Sequence, residues 1–84
     1  MWQKAMNIAK EAYRISKKIP PEEKFGLISQ MRRSAVSVSS NIVEGCGQSS
    51  DKDFKKNLAI AIGSAFELET QYLLCVELNF ITNS

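Results

Sequence analysis

A chain of 84 residues holds at most one domain and buries only about 60% of its unfolded surface, so packing between copies bears on its stability. With 44% hydrophobic and 24% charged residues it is too apolar for a disordered chain, and its net charge of +2 is too small to announce a nucleic-acid partner. The absence of histidine, with only Cys46 and Cys75 as thiols, excludes a four-ligand Cys/His zinc site within one chain and any His-based nucleophile triad.

The first element is a helix over residues 1–19. Trp2, Ala5, Met6, Ala9, Ala12, Tyr13 and Ile19 recur on one face, while Lys4, Lys10, Glu11, Arg14, Lys17 and Lys18 fall largely on the other. Lys17 and Lys18 complement the carbonyl end of the helix dipole. Pro20-Pro21 ends the helix, because proline lacks the N–H and restricts its predecessor.

Pro21 opens the second helix, with Glu22 and Glu23 in its first turn. Its apolar track is Ile28, Met31, Ala35, Val38 and Ile42, widened by Phe25, Leu27, Val36 and Val43. Ser29, Ser34, Ser37, Ser39 and Ser40 are short, which permits close backbone approach. Gly45 and Gly47 are expected to stop the helix in the left-handed conformation.

Ser50 is expected to N-cap a third helix, with Asp53 completing a capping-box-like pattern. The seam Phe54, Leu58, Ala61, Ala65, Leu68, Tyr72, Cys75 is flanked by Ile60, Ile62, Phe66, Leu73, Leu74, Val76 and Leu78. Such a helix is apolar around most of its circumference, and two neighbours do not cover it. Asn79 suits the left-handed end, and Thr82 or Asn83 would cap a further helix. Short connections make the helices antiparallel neighbours, setting Val38 near Leu58, Ala35 near Ala61, and Gly63 close to Arg33 and Ser34.

Charge is unevenly distributed. Eight lysines and arginines oppose three glutamates in residues 1–33, and three lysines oppose six carboxylates in residues 34–84, giving +5 and −3. Two readings follow: attraction between the halves or between copies, or a basic surface for phosphate built from Lys10, Arg14, Lys17 and Lys18. A second polar set is Arg32, Arg33, Asn41, Glu44, Glu67 and Gln71. It reads either as a hydrogen-bonded pair, Arg32 with Glu67, that fixes helix register, or as an arginine facing a phosphate. No catalytic, cofactor-binding or metal-binding residues are nominated. Glu67, Glu69 and Glu44 lack the histidine partners of bundle metal sites, and Gly45-Cys46-Gly47 lacks the lysine and preceding strand of a phosphate loop. No segment is read as membrane-spanning and no signal peptide is read at the N-terminus, so the expectation is a cytoplasmic protein with reduced thiols and no membrane partner.

Particular runs add a family resemblance. Trp2-Gln3-Lys4-Ala5, Phe25-Gly26-Leu27, Ser29-Gln30, Arg32-Arg33-Ser34-Ala35, Ser40-Asn41-Ile42, Glu44-Gly45, Gly63-Ser64 and Glu67-Leu68-Glu69-Thr70-Gln71 resemble the bacterial four-helix-bundle family, also called the 23S rRNA intervening-sequence protein family. Its relatives include the accessory protein of diversity-generating retroelements. The resemblance covers nearly the whole chain, with Ser39 where the family usually has proline. It implies an up-down four-helix bundle, here with three long helices of the four, that forms a homopentamer. It implies no cofactor and no enzymatic activity. The retroelement relatives bind nucleic acid and a reverse transcriptase through a basic surface, and an old label calls some members ribosomal proteins. The resulting expectation is an all-α, oligomeric, non-enzymatic bundle that binds RNA or DNA, or a ribonucleoprotein. The alternative is a protein–protein interaction scaffold with no nucleic-acid role.

Overall fold

The computed structural model describes residues 2–47 and 50–81, Trp2 by its backbone alone. The expected core role of the Trp2 side chain, and the capping roles of Thr82 and Asn83, lie outside the described residues. Three helices account for most of the chain: α1 (Trp2–Ser16), α2 (Ser29–Cys46) and α3 (Asp51–Glu77). The fold is an all-α antiparallel bundle, 43 × 20 × 18 Å, whose long axis matches the length of α3. A fourth helix is not seen among the described residues.

Helix α2 is the central element and packs along both α1 and α3. The core runs through Ala5, Ala12 and Ile19, then Ile28, Met31, Ala35 and Val38, then Ala61 and Cys75. Alanines on all three helices bring the backbones close, and Met31, 1% exposed, fills the space between them. The 3-4 seam expected in α2 is therefore buried from Ile28 to Val38, with Ile42 half-buried. Val36 and Val43, expected to widen it, are exposed.

The connection between α1 and α2 departs from expectation. Helix α1 ends at Ser16 and not at Ile19. Lys18 N–H and Ile19 N–H reach back three residues to Ile15 and Ser16 carbonyls, tightening the last turn. Pro21–Glu23 then forms one 3₁₀ turn, and Lys24–Ile28 a wide turn in which Gly26 leaves helical space at φ −108°, ψ −105°. Helix α2 proper thus starts at Ser29, not at Pro21. The break at Gly26 turns Leu27 and Ile28 inward and leaves Phe25, expected on the apolar face, 91% exposed.

At the other end of α2, the expected left-handed glycines are absent. Gly45 is buried inside the helix against Asn57 and Phe54 of α3, and Gly47 caps the helix at φ −92°, ψ −3°. Small size, not positive φ, is what Gly45 contributes. The turn residues Gln48 and Ser49 lie outside the described set. Ser50 caps α3 as expected, its Oγ accepting the Asp53 N–H at 3.1 Å. Asn79 takes the left-handed position at φ 62°. Phe80 N–H donates to the Cys75 carbonyl and Asn79 N–H to that of Val76, which makes a Schellman end with Phe80 folded onto the core.

The α2–α3 register is displaced by more than one turn from the levels expected of a simple hairpin, since Ser37 meets Ser64 and Ser34 meets Gln71. Ser64, not Ala65, is buried in α3. Gly63 faces away from α2, and an added methyl there would touch nothing within 4 Å, so the expected close contact is absent.

Little of α3 is covered. Ile60, Ile62, Leu73, Leu74 and Leu78 are 43–53% exposed and Phe66 is 66% exposed, on several sides of the helix. Helix α3 is also long and apolar enough to cross a membrane, with mean hydropathy 1.2 over 18 residues, which corrects the expectation that no segment is. It packs along α2 on one side, and most of that apolar stretch is uncovered.

A candidate nucleic-acid interface

Lys10, Arg14, Lys17 and Lys18 are all exposed, and their spacing sets them along one face of α1 and its last turn. They are not equally available. Arg14 donates from Nε to Glu11 Oε2 at 3.0 Å and pairs with the second carboxylate oxygen through Nη2. Hydrogen bonding from Arg14, with the charges of Arg14 and Lys18, holds the Glu11 carboxyl below its ordinary range, and the same bond raises Arg14. The stripe therefore offers three lysines outright and one arginine already shared with a carboxylate.

At the foot of this stripe lies a cleft of about 260 Å³ lined by Ser16, Lys17, Ile19, Pro21, Lys24, Ile28 and Arg32. Its cations come from the end of α1, the wide turn and the start of α2. Arg32 is held firmly: its Nε donates to Ser16 Oγ at 2.9 Å, and its guanidinium lies 5.1 Å from the centre of the Tyr13 ring. Ser16 is fully buried and passes its own proton to the Tyr13 carbonyl at 2.8 Å. Arg32 thus faces α1, not Glu67, which corrects the pairing expected from hairpin level. Sequence reasoning missed Lys24 as a partner of Lys17, because it put both Lys24 and Arg32 in one continuous helix. No spacing rule brings a loop lysine to the end of a different helix.

The rest of the polar set divides. Arg33, Glu67 and Gln71 share a polar groove of about 590 Å³ with Gln30, Ser34, Ser37 and Ser64 on the outer α2–α3 flank. The bonds that tie the two helices are the Ser37–Ser64 hydroxyl pair at 2.7 Å and Gln71 Nε2 donating to Ser34 Oγ at 3.2 Å. Register is therefore keyed by neutral groups, not by an arginine–carboxylate pair. Asn41 stays on its own helix, donating to the Ser37 carbonyl at 2.8 Å. Glu44 is exposed on another flank, beside Met6, Ser39, Ser40 and Val43.

A third surface is apolar. Ile8, Ala12 and Ile15 of α1 and Ala65, Leu68 and Tyr72 of α3 wall a groove of about 390 Å³ with Met31 as its floor. Cys75 is fully buried, and burial pushes its thiol up, so it stays protonated; Cys46 is exposed. Among the described residues no three His, Cys, Asp or Glu side chains gather as a metal-binding group.

An all-α antiparallel bundle with one exposed basic face and a long, half-covered apolar helix belongs to the class of helical-bundle proteins. More narrowly, the chain belongs to the 23S rRNA-intervening sequence protein family, whose model matches residues 1–84. No curated protein matches it significantly.

Proposed function

We propose that this chain is a non-enzymatic, cytoplasmic bundle that associates with copies of itself and binds nucleic acid, or a ribonucleoprotein, through the basic face of α1. One observation carries the reading: Lys10 and Arg14 on one face of α1, and Lys17 and Lys18 in the tight turn that follows it, all stand exposed. The family's tie to an rRNA insert agrees with an RNA-related role. Exposed aliphatic and aromatic side chains on α3 support self-association, and a homopentamer is the assembly that the family resemblance implies. No cofactor enters this reading.

Binding through phosphates weakens steeply with salt. In a filter-binding titration with RNA and DNA, each of Lys17→Gln and Lys18→Gln should lower the salt slope by about 1. Absence of binding to either nucleic acid at low salt contradicts the proposal. A second reading, a protein-interaction scaffold, is favoured by the apolar groove between α1 and α3. Charge reversal at Lys17 and Lys18 that removes a protein partner in a pull-down while RNA retention is unchanged would favour that reading.

A further inference from the structure

The cleft at the Pro20–Lys24 end of the bundle offers chemistry that the α1 stripe lacks. Lys17, Lys24 and Arg32 line it, and no carboxylate does. Ser16 and the Tyr13 ring fix the plane of the Arg32 guanidinium, and among the described residues its terminal nitrogens make no hydrogen bond. A guanidinium held by its Nε presents the remaining N–H groups as a fork, the geometry that matches a phosphate's oxygens.

Lys24, which lines the cleft, also lies against Phe25, which does not line it. The Phe25 ring is 91% exposed, and Lys24 Nζ lies 5.6 Å from its centroid. A bare phenylalanine in water is unfavourable, and the backbone break at Gly26 is what holds it there. One lysine therefore borders both a basic cleft and a free aromatic face. A single nucleotide can reach both, with its phosphate in the cleft and its base on the ring. Duplex nucleic acid keeps its base faces stacked inside, so only an unpaired strand offers the two together.

We infer that this end of the bundle is a site for single-stranded nucleic acid, in which Lys17, Lys24 and Arg32 hold a backbone phosphate and Phe25 stacks on the adjoining base. The inference rests on the nucleic-acid reading above and specifies the form of the ligand. Fluorescence anisotropy on the full chain, with a labelled oligouridine of about 12 nucleotides, tests it against the matching duplex. Phe25→Ala touches no core contact, so folding is preserved. It should weaken single-strand binding about tenfold or more, the effect of losing one stacked base, and leave duplex binding unchanged. Phe25→Trp should retain the affinity. Lys24→Gln should weaken binding and lower the salt slope by about 1. Single-strand affinity unchanged in Phe25→Ala, with binding still dependent on Lys10 and Lys18, overturns the site and leaves the α1 face standing. Polyglutamate that competes as well as oligouridine overturns the site too, since a carboxylate chain has no base to stack. Failure of the unaltered chain to bind either form overturns both readings together.

Discussion

Helices α1 and α3 solve the same problem in opposite ways. Helix α1 separates its faces for the most part: Ala5 and Ala12 are buried and the lysines meet water, while Met6, Tyr13 and Ile8, the first two expected on the apolar face, are partly exposed. Helix α3 does not separate them. It buries Ala61, Ser64 and Cys75 against α2 and leaves Phe66, Leu73 and Leu74 in water on other sides. From Asn57 to its end at Glu77 it carries Glu67, Glu69 and Glu77 and no lysine or arginine. An amphipathic helix is complete with one neighbour. A helix that is apolar around most of its circumference needs several. Helix α1 turns its charged face to water, whereas α3 is apolar on sides that α2 does not cover.

The largest expected effect separates the covered seam from the uncovered one. Met31→Ala should cost about 2–5 kcal/mol in urea unfolding, because that side chain fills the space among all three helices. Phe66→Ala should cost far less in a single chain, since its ring is mostly in water already. Leu68, half-buried at the edge of the core, should fall between them. Equal losses for Met31 and Phe66 in a dissociated chain would erase the distinction between the two faces.

Smaller effects sharpen it at the ends of α3 and along its back. Ser50→Ala removes the N-cap bond and should cost about 1 kcal/mol by the same measurement. Gly63→Ala should stabilise the isolated chain by about 0.5–1 kcal/mol, because the added methyl meets open space and alanine is the better helix former. A destabilising Gly63→Ala in the associated protein, with the stabilising effect recovered on dilution, would mark that side of α3 as a contact between copies. Thiol titration follows burial: Cys46 should react at once with a disulfide reagent, and Cys75 only as the bundle opens.

The smallest effect belongs to α1. The Glu11 carboxyl has its pKa lowered on folding, so its pairing with Arg14 contributes above the unfolded pKa and is lost as pH falls through the folded one. Both groups are fully exposed, so the effect should be slight. Glu11→Gln should flatten the acid limb of the melting curve marginally, and should strengthen nucleic-acid binding by releasing Arg14.

Much of the bundle was legible because local rules governed it. The track Ile28, Met31, Ala35, Val38 lies on one face by period alone, Ser50 caps by side-chain chemistry, and Asn79 tolerates the left-handed backbone. What was not legible depended on three-dimensional convergence. Pro21 looks like a helix start, yet the backbone of Gly26 breaks the helix five residues later and α2 begins only at Ser29. Arg32 and Glu67 stand at similar levels, but level says nothing of side, and Arg32 turns to Ser16 on α1. Gly45 and Gly63 carry the same letter: one is pressed against Phe54 and Asn57, the other faces open space. The candidate site was half visible. The lysines of α1 follow from spacing, whereas Lys24 reaches the cleft, with Phe25 against it, only through the turn that sequence patterns read as helix.

Sedimentation equilibrium of the purified chain, at concentrations spanning those of filter binding, tests the claim about α3 most directly. The account predicts a mass several times that of one chain, reduced to a single chain by Leu73→Glu. A monodisperse single chain that melts cooperatively, unaffected by Leu73→Glu, would contradict it.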